Sequence, residues 1–340
     1  MGDSQTSNIE HVTQDTAGVL NNYKLLPKQS YIVQPFNSVH FAGGGSGGVM
    51  TVNDHAELSF VEQSGGSDTP FSISIWANIT NTAASTRLFA KGDWTSGTSR
   101  EYVVFVEANE VGIILIEETD TGGNYSPRRQ ALASFPSTFS GKWKNIILSS
   151  KGTGNNADDL LISIDGDLVE STNTDYVLAG SDTYSNMVNG AGKIYIGDKD
   201  DECYMADISL WNVDLNSTTA ARTEVYNSGC PLDFGGATLS AISTNNILGW
   251  WRMGNGPIDT IDGTGVLLDD SSNYINVIYD HGNGGTNTTH VALPDSNFTS
   301  TSIANLYAPC RVNETVPFSL GVPGVPFLRN RNSPYKTNLD

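Results

Sequence analysis

The sequence is short of bases. Lys and Arg number 18 against 37 Asp and Glu in 340 residues, a formal charge of −19. Phosphate contact rests on Lys and Arg, so no nucleic-acid partner is expected. Charged residues make up only 16% of the chain, so its acidity reflects scarce bases more than acidic blocks. Cysteine is equally sparse. Cys203, Cys230 and Cys310 are scattered and form no C-x-x-C, which argues against a disulfide framework and a zinc ribbon and predicts buried free thiols. No stretch approaches the roughly 18 consecutive apolar residues of a membrane helix, so no membrane insertion is expected. The first 20 residues lack the basic and apolar regions of a signal peptide, which predicts synthesis in the cytosol. The histidines (His11, His40, His55, His281 and His290) form no His-x-x-x-His or Glu-x-x-His pair, so a metal hydrolase is unsupported.

What is present is turn chemistry and strand pattern. The 35 glycines, with abundant Asn, Ser and Thr, favour turns over helix interiors, while 38% hydrophobic and 9% aromatic residues suffice for a core. Residues 1–34 show little apolar periodicity and read as an N-terminal arm. From Ser38, short apolar segments follow one another: SVHFAGG, VMTV, LSFV and FSISIWANI. In the last, Phe71, Ile73 and Ile75 share one face and Ser72, Ser74 and Trp76 the other, the alternation of a strand. YVVFVE and VGIILIE, joined by Ala-Asn-Glu, read as one hairpin. LLISI and DLVES, joined by Asp165-Gly166, read as another, because Asp-Gly tolerates the positive φ of a type I′ turn. KWKNIILSS, KIYIGD, YMADISLWNV and NILGWWRMG continue the strands. LNSTTAARTEVYNSGC is the one candidate helix, capped by Asn216 or Ser217 and stopped by Gly229. Residues 257–340 are loop-rich and end in a proline-punctuated arm carrying Arg329, Arg331 and Lys336. The pattern predicts an all-β, two-sheet antiparallel sandwich over 35–256 with irregular N- and C-terminal arms.

These segments, in this order, resemble the concanavalin A-like jelly roll of the laminin-G and pentraxin type. SVHFAGG…GVMTVNDHAELSF resembles the family's opening strand pair, FSISIWANI its first core strand and RLFAKGD the next strand and turn. GKWKNIILSS resembles its tryptophan strand, LLISIDGDLV its Asp-Gly hairpin, and IYIGDKDDECYMADISLWNVDLNSTTAARTEVYN its closing strands and short helix. Ala42 follows Phe41 where the family's opening motif usually has Asp. LGWWRMGNG, with DDSSN and GNGGTN after it, is similar to segments of laminin-G-like proteins from marine bacteriophages, where such domains occur in virion structural and appendage proteins.

The same fold family includes β-glucanases, whose catalytic strand carries Glu-x-Asp-x-x-Glu or Glu-x-Asp-x-Glu. Alternate strand positions put both carboxylates on one face. The chain has neither motif; its nearest acidic run, Glu117-Glu118-Thr119-Asp120, reads as a solvated turn, so no enzyme is expected. Gly44-Gly45-Ser46-Gly47-Gly48 formally matches a nucleophile elbow, but strand-like VMTV follows where a helix is required, so a hairpin loop is expected.

Calcium is the one cofactor with a case. The resemblance implies a rim site, and calcium takes oxygen ligands from carboxylates, amides and carbonyls. Asp198, Asp200, Asp201 and Glu202 form one candidate group; Asp262, Asp269 and Asp270 form another. Most of the six tryptophans sit in strands and are expected in the core. Trp94 and Tyr125, in loop-like segments, are the candidates for stacking on a sugar. Arg329, Arg331 and Lys336 form a candidate assembly arm. The expected role is a virion structural protein, a decoration, spike or fibre-associated subunit. It would present a lectin-like jelly roll to cell-surface glycans and hold neighbouring subunits or copies of itself. The alternative is an extracellular lectin module of a marine microbe; a glycoside hydrolase ranks third.

Overall fold

A computed structural model describes residues 30–33, 38–42, 49–61, 67–92, 100–117, 127–153, 156–176, 184–197, 202–235, 237–253, 266–267, 277–280 and 311–314. The strands are, in order, β1 (Ser30–Val33), β2 (Val39–Ala42), β3 (Val49–Val52), β4 (Phe71–Ile79), β5 (Thr86–Lys91), β6 (Tyr102–Glu107), β7 (Glu110–Ile116), β8 (Arg128–Ser134) and β9 (Trp143–Ser150). They continue with β10 (Leu160–Ile164), β11 (Asp167–Leu168), β12 (Ser171–Tyr176), β13 (Ile194–Ile196), β14 (Glu202–Trp211), β15 (Ile247–Trp251), β16 (Val266–Leu267), β17 (Val277–Asp280) and β18 (Arg311–Glu314). Among the described residues one α-helix, α1 (Thr219–Tyr226), lies between β14 and β15.

The chain divides into two units, Met1–Ile32 with Val312–Asn330, and Val33–Arg311 with Arg331–Asp340. β1 and β18 pair as a two-stranded sheet. The second unit is an antiparallel β-sandwich of jelly-roll type, as the strand pattern predicts. Among the described residues one sheet has the order β11-β10-β9-β4-β14-β15, with β2 also paired to β14. The other runs β12-β8-β7-β6-β5-β13-β3-β17-β16. Strands β16 and β17 thus draw part of the segment beyond 256 into the second sheet, through pairs such as Ile278 with Thr51.

Alternation sets the layers. On β4, Phe71, Ile73, Ile75, Ala77 and Ile79 face the second sheet and join one continuous core with Ile146 and Leu148 of β9, Val104 and Val106 of β6, and Ile113 and Leu115 of β7. These β-branched and aromatic residues suit a pleated, half-buried surface. Two hairpins close as type I′ turns. Asp165 (φ 54°) and Gly166 (φ 83°) join β10 to β11, and Ala108 (φ 53°) and Asn109 (φ 64°) join β6 to β7. Gly166 is required twice over, since a Cβ there would lie 3.0 Å from the Tyr226 ring.

β14 is the organising strand. It pairs with β4 on one side. On the other it pairs with β2 along Glu202–Met205 and with β15 along Ile208–Trp211. Opposite β4 the register shifts between Ala206 and Ser209, where Asp207 takes φ 45°. The extra residue is a β-bulge. It lets Cys203, Met205, Ile208 and Leu210 all face the core.

Three local expectations are corrected. The cap of α1 is Thr218, whose hydroxyl accepts from the Ala221 N–H at 3.2 Å, because Asn216 and Ser217 lie in a preceding 3-10 turn capped by Asp214. The helix ends at Asn227, which takes the left-handed conformation (φ 47°), two residues before Gly229. The expectation of free thiols fails at Cys230, which is disulfide-bonded. Cys203 is a buried thiol in the core, and Cys310 lies outside the described residues.

Candidate functional site

The outer face of the first sheet is divided in two. Over one part, α1 and the segment leading to β15 bury a second apolar cluster of Ile147, Trp211, Leu215, Ala221, Val225, Phe234 and Trp250. Trp211 and Trp250 meet Phe234 edge-on, and the Trp250 indole N–H donates to Asp207 Oδ1 at 2.7 Å. The other part carries a different set of side chains.

Cross-strand register places His40, Tyr204, Asn78 and Trp143 side by side on β2, β14, β4 and β9. At the usual strand spacing this row spans about 14 Å. His40 stacks on Tyr204 with centroids 4.3 Å apart and rings 9° from parallel. His40, Tyr204 and Trp143 are half-buried, so aromatic surface remains accessible. In the next row Ala206 and Trp76 stand opposite one another, and Tyr226 at the end of α1 stacks on Trp76 at 5.9 Å. Helix and aromatic row thus meet at Tyr226.

Polar groups are interleaved with the rings. Glu202 accepts from His40 Nε2 at 3.0 Å and from the Tyr204 hydroxyl at 3.4 Å. Burial, reinforced by the Glu202 carboxylate, raises the Tyr204 phenol above its ordinary range, so it stays a donor at neutral pH. Asn78 is 95% buried by its 5% exposure, and its Nδ2 donates to the Gly141 carbonyl at 3.2 Å. Its Oδ1 has no protein partner, nor do the neighbouring Trp143 Nε1 and Asn145 Oδ1. These three enclosed atoms lie on neighbouring positions of β4 and β9. Rings that accept C–H faces, beside amide, carboxylate and imidazole groups that accept or donate to hydroxyls, can hold a saccharide.

A second polar centre lies at the far ends of β5 and β6. Lys91, fully buried, places Nζ 2.7 Å from both Asp54 Oδ1 and Glu101 Oε1. Burial pushes Glu101 up to about 7, against the opposing pull of Lys91, the Gly190 N–H and the Ser59 hydroxyl. A third centre joins Asp68, Tyr184 and Arg129. The Tyr184 hydroxyl donates to Asp68 at 2.6 Å, Arg129 lies over the Tyr184 ring, and both Asp175 oxygens hold the Arg129 guanidinium. Its groups satisfy one another, which suits a structural role.

Of the candidate glycan, calcium and assembly residues named from sequence, only Glu202 falls among the described residues. Trp94, Tyr125, Asp198, Asp200, Asp201, Asp262, Asp269, Asp270, Arg329, Arg331 and Lys336 lie outside them, as do the Gly44–Gly48 run and Glu118–Asp120. Glu117 is described and accepts from the Ser185 amide and hydroxyl at 2.8 Å. Among the described residues no group of three or more His, Cys, Asp or Glu is placed to hold a metal. The row on the first sheet was missed because Tyr204 and His40 belong to strands far apart in sequence. One signal was readable: Trp76 shares its face with Ser72 and Ser74, so this ring points away from the core.

No protein-family model matches the chain, and no curated protein does. Solved structures that are similar in part include the binding domain of botulinum neurotoxin DC in complex with rat synaptotagmin II. It is 13% identical, with a TM-score of 0.39 over 59% of this chain and 46% of that one. The botulinum neurotoxin serotype D ligand binding domain in complex with N-acetylneuraminic acid is 15% identical, with a TM-score of 0.37 over 56% and 42%. The botulinum neurotoxin type G receptor binding domain is 14% identical, with a TM-score of 0.33 over 57% and 51%. The match thus spans about half the length of these chains or less.

Proposed function

We propose that the protein is a non-enzymatic binding module that takes a saccharide on the outer face of its first sheet. The observation that carries this reading is the row His40, Tyr204, Asn78 and Trp143, three half-buried aromatic rings and a buried amide aligned across four strands. A row on a paired sheet is held rigid by its backbone, so little ordering is lost on binding. Glu202 at the start of β14 supplies a carboxylate beside the rings. A calcium ion on Asp198, Asp200, Asp201 and Glu202 belongs to the same proposal as a rim ion.

The setting proposed for the module is a virion appendage, on the strength of the phage-like LGWWRMGNG segment. The arm residues Arg329, Arg331 and Lys336 would contact a neighbouring subunit there. An extracellular lectin is the second setting, and the disulfide at Cys230 favours an oxidising one.

The test is a glycan array with calcium and with chelator, followed by calorimetry on the best ligand. Trp143→Ala and Tyr204→Ala are each expected to weaken binding by tenfold or more while the fold is retained. Glycan binding unchanged in both variants would overturn the site; no glycan bound in either condition would overturn the function.

A further inference from the structure

The Lys91 ammonium has more oxygen around it than it can use. Its four oxygens are Asp54 Oδ1 and Glu101 Oε1 at 2.7 Å, the Gly192 carbonyl at 3.1 Å and the Gly190 carbonyl at 3.3 Å. An ammonium has three N–H groups for these four acceptors. A fifth oxygen, Glu101 Oε2, is enclosed in the same place and has no protein partner. With Asp54 Oδ2 the two carboxylates and two carbonyls supply six oxygens.

Charge is in excess as well once Glu101 has lost its proton. With both carboxylates ionised, two negative charges face one positive charge in a place where Lys91 and Glu101 are fully buried. Tyr102, the other titratable neighbour, gives its hydroxyl to the Leu58 carbonyl at 3.1 Å and remains protonated, its phenol raised by burial and by Glu101 and Asp54. Six oxygens from carboxylates and backbone carbonyls, with charge to balance a divalent ion, are the ligand set calcium takes.

We propose that Lys91 is a tethered cation occupying a calcium-type oxygen cage formed by Asp54, Glu101, Gly190 and Gly192. The ammonium ties together the segment after β3, the ends of β5 and β6, and the segment before β13. This corner of the sandwich is therefore closed by a cation the chain carries itself and does not draw on free calcium. Removing the lysine side chain uncovers a calcium site. The proposal is independent of the saccharide face and of the rim ion proposed at Asp198–Glu202.

The experiment compares calcium binding to the full chain and to Lys91→Ala and Lys91→Ala/Glu101→Gln by equilibrium dialysis, with thermal melts in calcium and in chelator. Lys91→Ala is expected to bind an additional equivalent of calcium over the unsubstituted chain and to gain melting temperature with calcium. The double variant loses both. An unchanged stoichiometry in Lys91→Ala, or an additional equivalent that persists in the double variant, overturns the proposal. Should Lys91→Ala be recovered unfolded in chelator, the titration is read as refolding by circular dichroism. Refolding driven by calcium supports the cage, and its absence overturns it.

Discussion

Glu101 meets the Lys91 ammonium with one carboxylate oxygen at 2.7 Å and leaves the other enclosed without a protein partner. Burial, which outweighs the pull of Lys91, the Gly190 N–H and the Ser59 hydroxyl, gives the group its unusual proton affinity. In the folded chain the carboxyl holds its proton up to a pH of about 7, whereas an unhindered one releases it near 4.5. Between those values the folded state binds more protons than the unfolded state. Its contribution to stability is therefore complete below about 4.5 and is lost as pH rises through about 7. Denaturant midpoints between pH 5 and 8 are expected to fall with pH in the native sequence and to flatten in Glu101→Gln. A carbon-13 titration of Glu101 with its midpoint in the ordinary carboxylate range would refute this.

Glu224 is expected to act in the opposite sense. Slight burial pushes its carboxyl up, but the N–H groups of Ser240, Ala241 and Ile242 and the Ser240 hydroxyl outweigh this and hold it below its ordinary value. Its stabilisation is present above the unfolded carboxyl range and is lost as pH falls through the folded one. The protection of amides 240–242 against hydrogen exchange, taken relative to the intrinsic rate at each pH, should therefore fall on acidification and in Glu224→Gln. Exchange at these amides that ignores the substitution would remove Glu224 as their anchor.

Trp76 is 2% exposed, yet lies outside the main core, between Ala206 and Tyr226. Trp76→Ala is expected to cost about 3–5 kcal/mol, in the range for emptying a buried aromatic site. Chemical denaturation measures this; a loss under about 1 kcal/mol would mean that Tyr226 closes over the gap.

Gly197 precedes the segment leading to β14 with φ 83°, and a Cβ there would fall 2.2 Å from the Phe41 ring. Both the backbone conformation and the space exclude a side chain. Gly197→Ala is expected to lower the melting temperature sharply, and Phe41→Ala in the same chain should not restore it fully, because the positive φ remains.

The sandwich was legible because alternation carries it. Phe71, Ile73 and Ile75 separate from Ser72, Ser74 and Trp76 by period alone, and Asp165-Gly166 announces its turn. The Ala108-Asn109 turn was not readable in the same way, since alanine rarely takes φ 53° and is held there by the strands on either side. The helix cap is Thr218 and neither Asn216 nor Ser217, which lie in the preceding 3-10 turn, where the Asn216 amide is drawn inward to donate to the Ile147 and Leu161 carbonyls at 3.1 Å. The candidate face was least legible. His40 and Tyr204 are 164 positions apart and become neighbours only through the β2–β14 register. Lys91 and Glu101 are closer in sequence, but nothing in KGDWTSGTSRE distinguishes a buried lysine from a solvated one.

The extra residue at Asp207 works as a phase shifter. Before it, even-numbered positions of β14 such as Tyr204 and Ala206 look away from the core; after it, odd-numbered ones such as Ser209 and Trp211 do. The aromatic row and the helix-covered cluster therefore share one face only because one residue is left out of step. A β14 that kept all its residues in regular alternation, with no bulge at Asp207, would have to turn half of itself inside out. Either Tyr204 would enter the core or Ile208 and Leu210 would leave it. The accessible half of the sheet and its covered half are thus kept on one side by a single bulge between them.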